Sequence, residues 1–231
     1  LVSAEVIATG STGNFCIVGK NVAIDAGIPY KNVEPYMDRI KLLLLTHVHS
    51  DHFKASTIRR MALEKPLLKI GCGPFLVKHL VDAGVNKNQI IVLEPRLIYN
   101  FGICNVIPFP LYHDVPNYGY KLHFPNGKVF YATDTRSLKG ITAPQYDLYM
   151  VEKNYNDDEL KARLDAKMES GEYAYEIRVM KNHLSEHRVN DWLYKNMGPR
   201  SEYIYLHQHV DRGKDEGKNH RISLSDEQGD N

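Results

Sequence analysis

The stretch Leu42-Leu43-Leu44-Leu45-Thr46-His47-Val48-His49-Ser50-Asp51-His52 joins an apolar run directly to a dense group of imidazoles and a carboxylate. Consecutive leucines lack the alternation of a half-buried strand, and the run is short, so Lys41–Leu45 reads as a strand covered on both faces. His47, His49, Asp51 and His52 follow it at once, and their nitrogens and oxygens are ordinary ligands of zinc and similar divalent ions. His47 and His49 are two apart and share a direction in an extended segment. Asp51 and His52 come after a turn, where they can face a second ion. Imidazoles packed this densely repel one another when protonated and cost free energy when buried without partners, so the cluster reads as a metal site.

One segment cannot surround two ions, and the remaining ligands are expected where other buried strands meet loops. His113 follows Val106-Ile107-Pro108-Phe109-Pro110-Leu111-Tyr112, Asp134 lies in Ala132-Thr133-Asp134-Thr135, and His207 follows Tyr203-Ile204-Tyr205-Leu206.

Outward from the cluster, the chain reads as short strands separated by helices. Strands are expected at Glu5–Ala8, Phe15–Val18, Asn21–Ile24, Leu68–Gly71, Gln89–Leu93, Cys104–Pro108, Gly119–Phe124, Lys128–Ala132, Leu148–Val151 and Glu202–Leu206. Pro125-Asn126-Gly127 is a hairpin turn signal. Helices are expected at Ala55–Leu63, Pro74–Ala83, Asp157–Lys167 and His187–Met197. This pattern predicts an α+β domain of sheets with helices outside, over residues 1–210, followed by a polar tail over residues 211–231 with little to bury.

The 231 residues carry a formal net charge of +1, so no large basic excess announces a nucleic-acid partner, although a local basic rim of Lys20, Lys31, Lys54, Arg59 and Arg60 would serve one. Cys16, Cys72 and Cys104 are odd in number and widely spaced. They read as buried thiols of a reducing compartment rather than a disulfide framework. No apolar run reaches membrane-spanning length, and the N-terminus shows no secretory signal pattern; the expectation is a cytoplasmic protein with no membrane partner.

Across about Ala8 to His209, the chain resembles the metallo-β-lactamase fold hydrolases. The resemblance is carried by Gly10-Ser11-Thr12-Gly13-Asn14, Ile24-Asp25-Ala26-Gly27, the Thr46–His52 cluster, His113-Asp114, Thr133-Asp134-Thr135 and the late histidines. The branch it looks like is the bacterial and phage exonucleases of the WalJ (YycJ) type and, more distantly, the tRNA 3′-processing endonucleases. That resemblance implies an αββα four-layer sandwich with a site at the sheet edge. It implies two divalent ions, zinc or alternatively manganese: His47, His49 and His113 on the first, Asp51, His52 and His207 on the second, and Asp134 bridging both. Asp25 would brace the metal loop from behind. His183, in Asn182-His183-Leu184-Ser185, would act on the leaving group or scissile phosphate, and Glu152 would orient a histidine, so that Asp51, His183 and Glu152 carry the chemistry. In Leu206-His207-Gln208-His209 the ligand is expected at His207, with His209 as the alternative; His187 competes with His183 in the same way.

The implied activity is hydrolysis of a DNA or RNA phosphodiester by hydroxide shared between the two ions. Two other readings stay open: hydrolysis of a small ester, thioester, lactone or cyclic phosphodiester, and a non-catalytic metal-binding interaction protein.

Overall fold

The computed structural model describes residues 2–170, 176–207 and 222–223. The chain divides into two compact units, one of Leu1–Pro110 with Val115–Lys128, the other of Leu111–Asp114 with Val129–Asn231.

The first unit is built on a six-stranded sheet in sequence order: β1 (Ala4–Ala8), β2 (Phe15–Val18), β3 (Val22–Ile24), β4 (Leu42–Leu45), β5 (Lys69–Cys72) and β6 (Ile90–Val92). The first three strands pair antiparallel, and β3 through β6 run parallel. β4 sits between β3 and β5 with all four leucines buried, the burial on both faces that a continuous apolar run requires. The parallel crossovers are made by helices: α1 (Tyr30–Val33) lies between β3 and β4, α2 (Ala55–Glu64) between β4 and β5, and α3 (Pro74–Asp82) between β5 and β6. α2 buries Thr57, Ile58, Met61 and Ala62, a stripe at helical spacing, and α3 opens on Pro74, whose missing N–H costs nothing in a first turn.

The second sheet has seven strands, ordered β13-β12-β11-β10-β9-β8-β7. Its strands are β7 (Tyr99–Asn100), β8 (Asn105–Leu111), β9 (Asn117–Phe124), β10 (Gly127–Ala132), β11 (Leu148–Glu152), β12 (Glu202–Leu206) and β13 (Ile222–Ser223). Within the first unit, Tyr120 on β9 is fully buried and donates its hydroxyl to the Leu45 carbonyl (2.5 Å), and the Tyr118 amide donates to the Thr46 carbonyl (3.2 Å). The end of β4 is thereby held from both sheets immediately before His47. In the second unit, β10, β11 and β12 are parallel, and every residue of β11 is buried, including the terminal Glu152. Helices α4 (Asp157–Ser170), α5 (Glu176–Asn182) and α6 (Glu186–Asn196) lie between β11 and β12 in the chain. Two mixed sheets with flanking helices make this an α+β fold, as expected from the sequence.

The expected strands and helices are all present, with ends shifted by a few residues. The seven-residue α5 has too few turns to show a period, and α1 is shorter still. β13 pairs antiparallel with β12 from within the polar C-terminal stretch. His209 and the rest of that stretch lie outside the described residues. Among the described residues, no helix is long and apolar enough to cross a membrane.

The loop carrying the histidine cluster is clamped by backbone. The Asn14 amide donates to the Asp51 carbonyl (2.7 Å), Ala26 to His52 (2.9 Å) and Lys54 to Ala26 (3.1 Å). Gly27 lies so close that a Cβ there would stand 1.7 Å from the Asp51 carbonyl oxygen. Backbone on both sides leaves no flexible end to yield. Gly27→Ala is expected to cost about 3 kcal/mol of stability in a urea melt, near the top of the range for overpacked sites, with weakened metal retention.

Candidate metal centre

In the first unit the imidazoles are oriented from behind. Asp25, fully buried, accepts from the Thr46 amide (2.9 Å) and from the Thr46 hydroxyl (2.9 Å to Oδ1), and its Oδ2 lies 2.6 Å from His52 Nδ1. With its hydroxyl hydrogen given to Asp25, Thr46 presents a lone pair to His47 Nδ1, 3.0 Å away. Both rings are thus held through Nδ1, which leaves Nε2 as the atom that could face an ion. His47 Nε2 lies 3.2 Å from His49 Nδ1, and His52 Nε2 lies 3.5 Å from Asp51 Oδ2. The His47 and His52 rings are 4.2 Å apart, and His47 and His52 are buried. Burial pushes the Asp25 carboxyl up, against the opposing pull of His52 and the hydrogen bonds from Thr46.

Asn14 and Ser11 lie in a glycine-rich turn, which in sequence reads either as a source of phosphate donors or as a tight turn only. The fold uses Asn14 differently. It is buried, its Oδ1 accepts from the Gly10 amide (2.9 Å), and its Nδ2 donates to the Gly10 carbonyl (3.0 Å) and the Asp51 carbonyl (3.1 Å). The same Nδ2 is 2.8 Å from His52 Nε2, so Asn14 braces the metal loop.

The second unit carries its own cluster. Ligand atoms of Asp134, Glu152, His183 and His207 lie within 4.8 Å of one another. Asp134 follows β10 and His207 follows β12, two parallel strands that flank β11, so their ends fall on the same side of the sheet. His207 Nε2 is 3.5 Å from Asp134 Oδ1, and His183 stacks on His207 with ring centres 5.3 Å apart. His113 Nδ1 faces the Asn182 carbonyl (3.2 Å), while its Nε2 lies 3.2 Å from Asp114 and 4.0 Å from Asp134. Burial holds the His113 imidazolium down from its ordinary value, against the pull of Asp134 and Asp114.

Glu152 belongs to this cluster but has both oxygens engaged. Oε1 is 2.5 Å from His183 Nδ1, and Oε2 accepts from the Thr135 amide (2.8 Å) and the Leu184 amide (3.4 Å). It is a bracket tying three segments together rather than a spare ligand. Burial lowers the affinity of His183 for a proton, but the charge and hydrogen bond of Glu152, with Asp134 behind them, outweigh it and raise the His183 value overall. His187, the sequence alternative to His183, is 77% exposed and pairs with Asp191 on its own helix. Of the basic-rim candidates, Arg60 is committed to Glu64, to Glu34 and to the Tyr30 ring.

Two features were not visible in the sequence. Asn154 donates to the His207 carbonyl (3.0 Å), and its Nδ2 lies 3.0 Å from His207 Nδ1, fixing that ring although the residues are far apart in the chain. Asp25, Asp134 and His207 also adopt left-handed backbone, with φ of 61°, 53° and 51°. A non-glycine residue in that region costs about 1–3 kcal/mol, and such residues gather at functional sites. Each stands one or two positions past a strand end, where the reversal turns its side chain off the line of the strand.

Buried imidazoles and carboxylates with coordinating atoms this close are a donor set that suits divalent ions, and without one their lone pairs repel. The clusters are consistent with a dinuclear metal site. Residues 20–183 match the model of the beta-lactamase superfamily domain. The chain belongs to the metallo-β-lactamase superfamily. Among superfamily members it is similar to exodeoxyribonuclease YycJ of Bacillus anthracis, 27% identical over an alignment of 173 residues that covers 68% of this chain. The chain spans 64% of that relative's length. The metallo-β-lactamase fold protein YhfI from Bacillus subtilis superposes with a TM-score of 0.70 at 15% identity, covering 91% of this chain and 88% of its own. The short form of human tRNase Z does so with a TM-score of 0.64 at 14% identity, covering 97% and 99%. At such identity these two structures speak for the metallo-β-lactamase fold alone.

Proposed function

We propose that this superfamily member is a dinuclear metal-dependent phosphodiesterase acting on nucleic acid. The observation that carries the reading is the buried acid–imidazole group of Asp134, Glu152, His183 and His207, in which one imidazole, His183, is bonded by a carboxylate that raises its proton affinity and is not itself spare for a metal. In this reading His47, His49 and His113 would hold one ion and Asp51, His52 and His207 the other, with Asp134 serving both. Zinc suits the imidazole-rich set, with manganese the alternative. Ions so held supply positive charge for a phosphate oxygen and lower the pKa of water.

The chain's own residues do the rest. Asp25 and Thr46 lock His52 and His47 in the coordinating orientation. Asn154 ties down the His207 backbone by donating to its carbonyl. His183 Nδ1 is occupied by Glu152, so Nε2 is the atom that gives a proton to the departing oxygen. Nucleic acid as substrate is supported by the named activity of the YycJ relative.

The test is turnover by the metal-reconstituted protein of bis(p-nitrophenyl) phosphate, labelled single- and double-stranded DNA, labelled RNA, and p-nitrophenyl acetate. The expected result is cleavage of the phosphodiesters and at least one nucleic acid. Cleavage of the carboxylic ester alone would move the assignment to small-ester hydrolysis, and a metal-loaded protein inert on every substrate would favour a binding role.

A further inference from the structure

Beside the second unit's cluster lies a cavity of about 260 Å³ bounded by the segment after β11 and by helices α4, α5 and α6. Its apolar side is a buried group of Tyr155, Leu160 and Val179. Most of its polar side is already paired. Lys153 Nζ is 2.5 Å from Glu186, Asn156 donates to the other Glu186 oxygen (3.1 Å), and Arg163 lies 3.7 Å from Glu159. Glu176 differs. It is only 7% exposed, its Oε1 accepts from Lys167 (2.7 Å), and its Oε2 is buried with no hydrogen-bond partner among the described residues. A buried carboxylate oxygen left without a donor is unfavourable, and its position on a cavity wall indicates that the donor comes from a ligand.

The kind of donor follows from the surroundings. Lys167 already balances the Glu176 charge, and Lys153 and Arg163 also line or border the cavity, so a further cation is disfavoured and a neutral N–H is suited. The apolar wall suits a flat ring. A cavity of about 150 Å³ accommodates a benzene ring, and this larger one has room for a bicyclic purine. Location supplies the third constraint: Asn154 lines the cavity and is bonded to the His207 carbonyl, so the cavity borders a residue of the cluster.

We propose that this cavity is a nucleobase subsite for a nucleotide of the substrate, and that Glu176 Oε2 accepts from the exocyclic amino group of cytosine, adenine or guanine. Thymine and uracil lack that group and present a carbonyl to the carboxylate. The proposal rests on the nucleic-acid reading of the neighbouring site. A site built to accept a hydrogen bond discriminates against a ligand without the donor, because the buried acceptor is then left unpaired.

Isothermal titration of the metal-reconstituted full chain with dAMP, dCMP, dGMP and dTMP tests it directly. The amino-bearing nucleotides are expected to bind about tenfold or more tightly than dTMP, the scale of one good hydrogen bond. In Glu176→Gln that preference is expected to vanish, since the amide can turn its NH₂ toward a carbonyl. Equal affinity for the four nucleotides in the unaltered protein, or an unchanged preference in Glu176→Gln, would overturn the proposal. If Glu176→Gln fails to fold, Leu160→Trp fills the cavity instead and is expected to abolish the preference; retained preference there would likewise overturn it. Bis(p-nitrophenyl) phosphate carries no base, so its turnover by the unaltered protein reads the phosphodiesterase assignment separately from the subsite.

Discussion

Asp134→Asn is expected to abolish phosphodiester turnover, with a fall of about 10³-fold or more, equivalent to about 4 kcal/mol of transition-state stabilisation. Asparagine is chosen because it keeps the shape of aspartate and tolerates the left-handed backbone at φ 53°. What it removes is the negative charge, and with it the oxygen proposed to be shared between two ions. Asp134 Oδ1 lies 3.5 Å from His207 Nε2 and 4.0 Å from His113 Nε2, and Thr133 donates to Oδ2 (2.9 Å), so the carboxylate has no slack to be replaced by a neighbour. Metal content measured on the same preparation is expected to fall, while the thermal unfolding of the metal-free protein stays close to that of the parent. Unchanged metal content with unchanged rate would remove Asp134 from the centre.

His183→Ala separates chemistry from metal binding. The ring is bracketed by Glu152 and stacked on His207, yet His183 is 16% exposed, which suits a group that meets substrate. Loss of a positioned general acid lowers rates by about 10²–10⁴-fold, and that range is expected here with metal content unchanged. The deficit should shrink for a substrate whose leaving group needs no proton, such as p-nitrophenolate, compared with an oligonucleotide. Added imidazole should restore part of the rate, which a purely structural histidine would not permit. Loss of metal together with activity would make His183 a ligand instead, a role its place in the Asp134–Glu152–His207 group allows geometrically.

The parts of the fold legible in the sequence are those governed by local composition. Leu42–Leu45 and Leu148–Val151 are apolar without interruption, and each becomes a central parallel strand buried on both faces. The spacing of His47, His49, Asp51 and His52 reads as a candidate metal loop because their ligand chemistry lies within a few residues of one another. Asn154, Thr46 and Asn14 were harder to read. Their importance lies in hydrogen bonds to residues that only the fold brings near, and amides and hydroxyls are common in any loop. The left-handed backbone of Asp25 and His207 is likewise set by the clamp around each strand end, not by residue type. Glu176 reads as one more surface acid on a short helix until burial and the cavity beside it are seen.

The proposed binding of two ions per chain is tested by metal stoichiometry. Titrating zinc into chelator-treated protein, with bound metal counted by mass spectrometry under native conditions and phosphodiester turnover followed in parallel, should show two equivalents per chain and activity that appears with the second. Saturation at one equivalent, or full activity with one ion bound, would rule out a dinuclear centre.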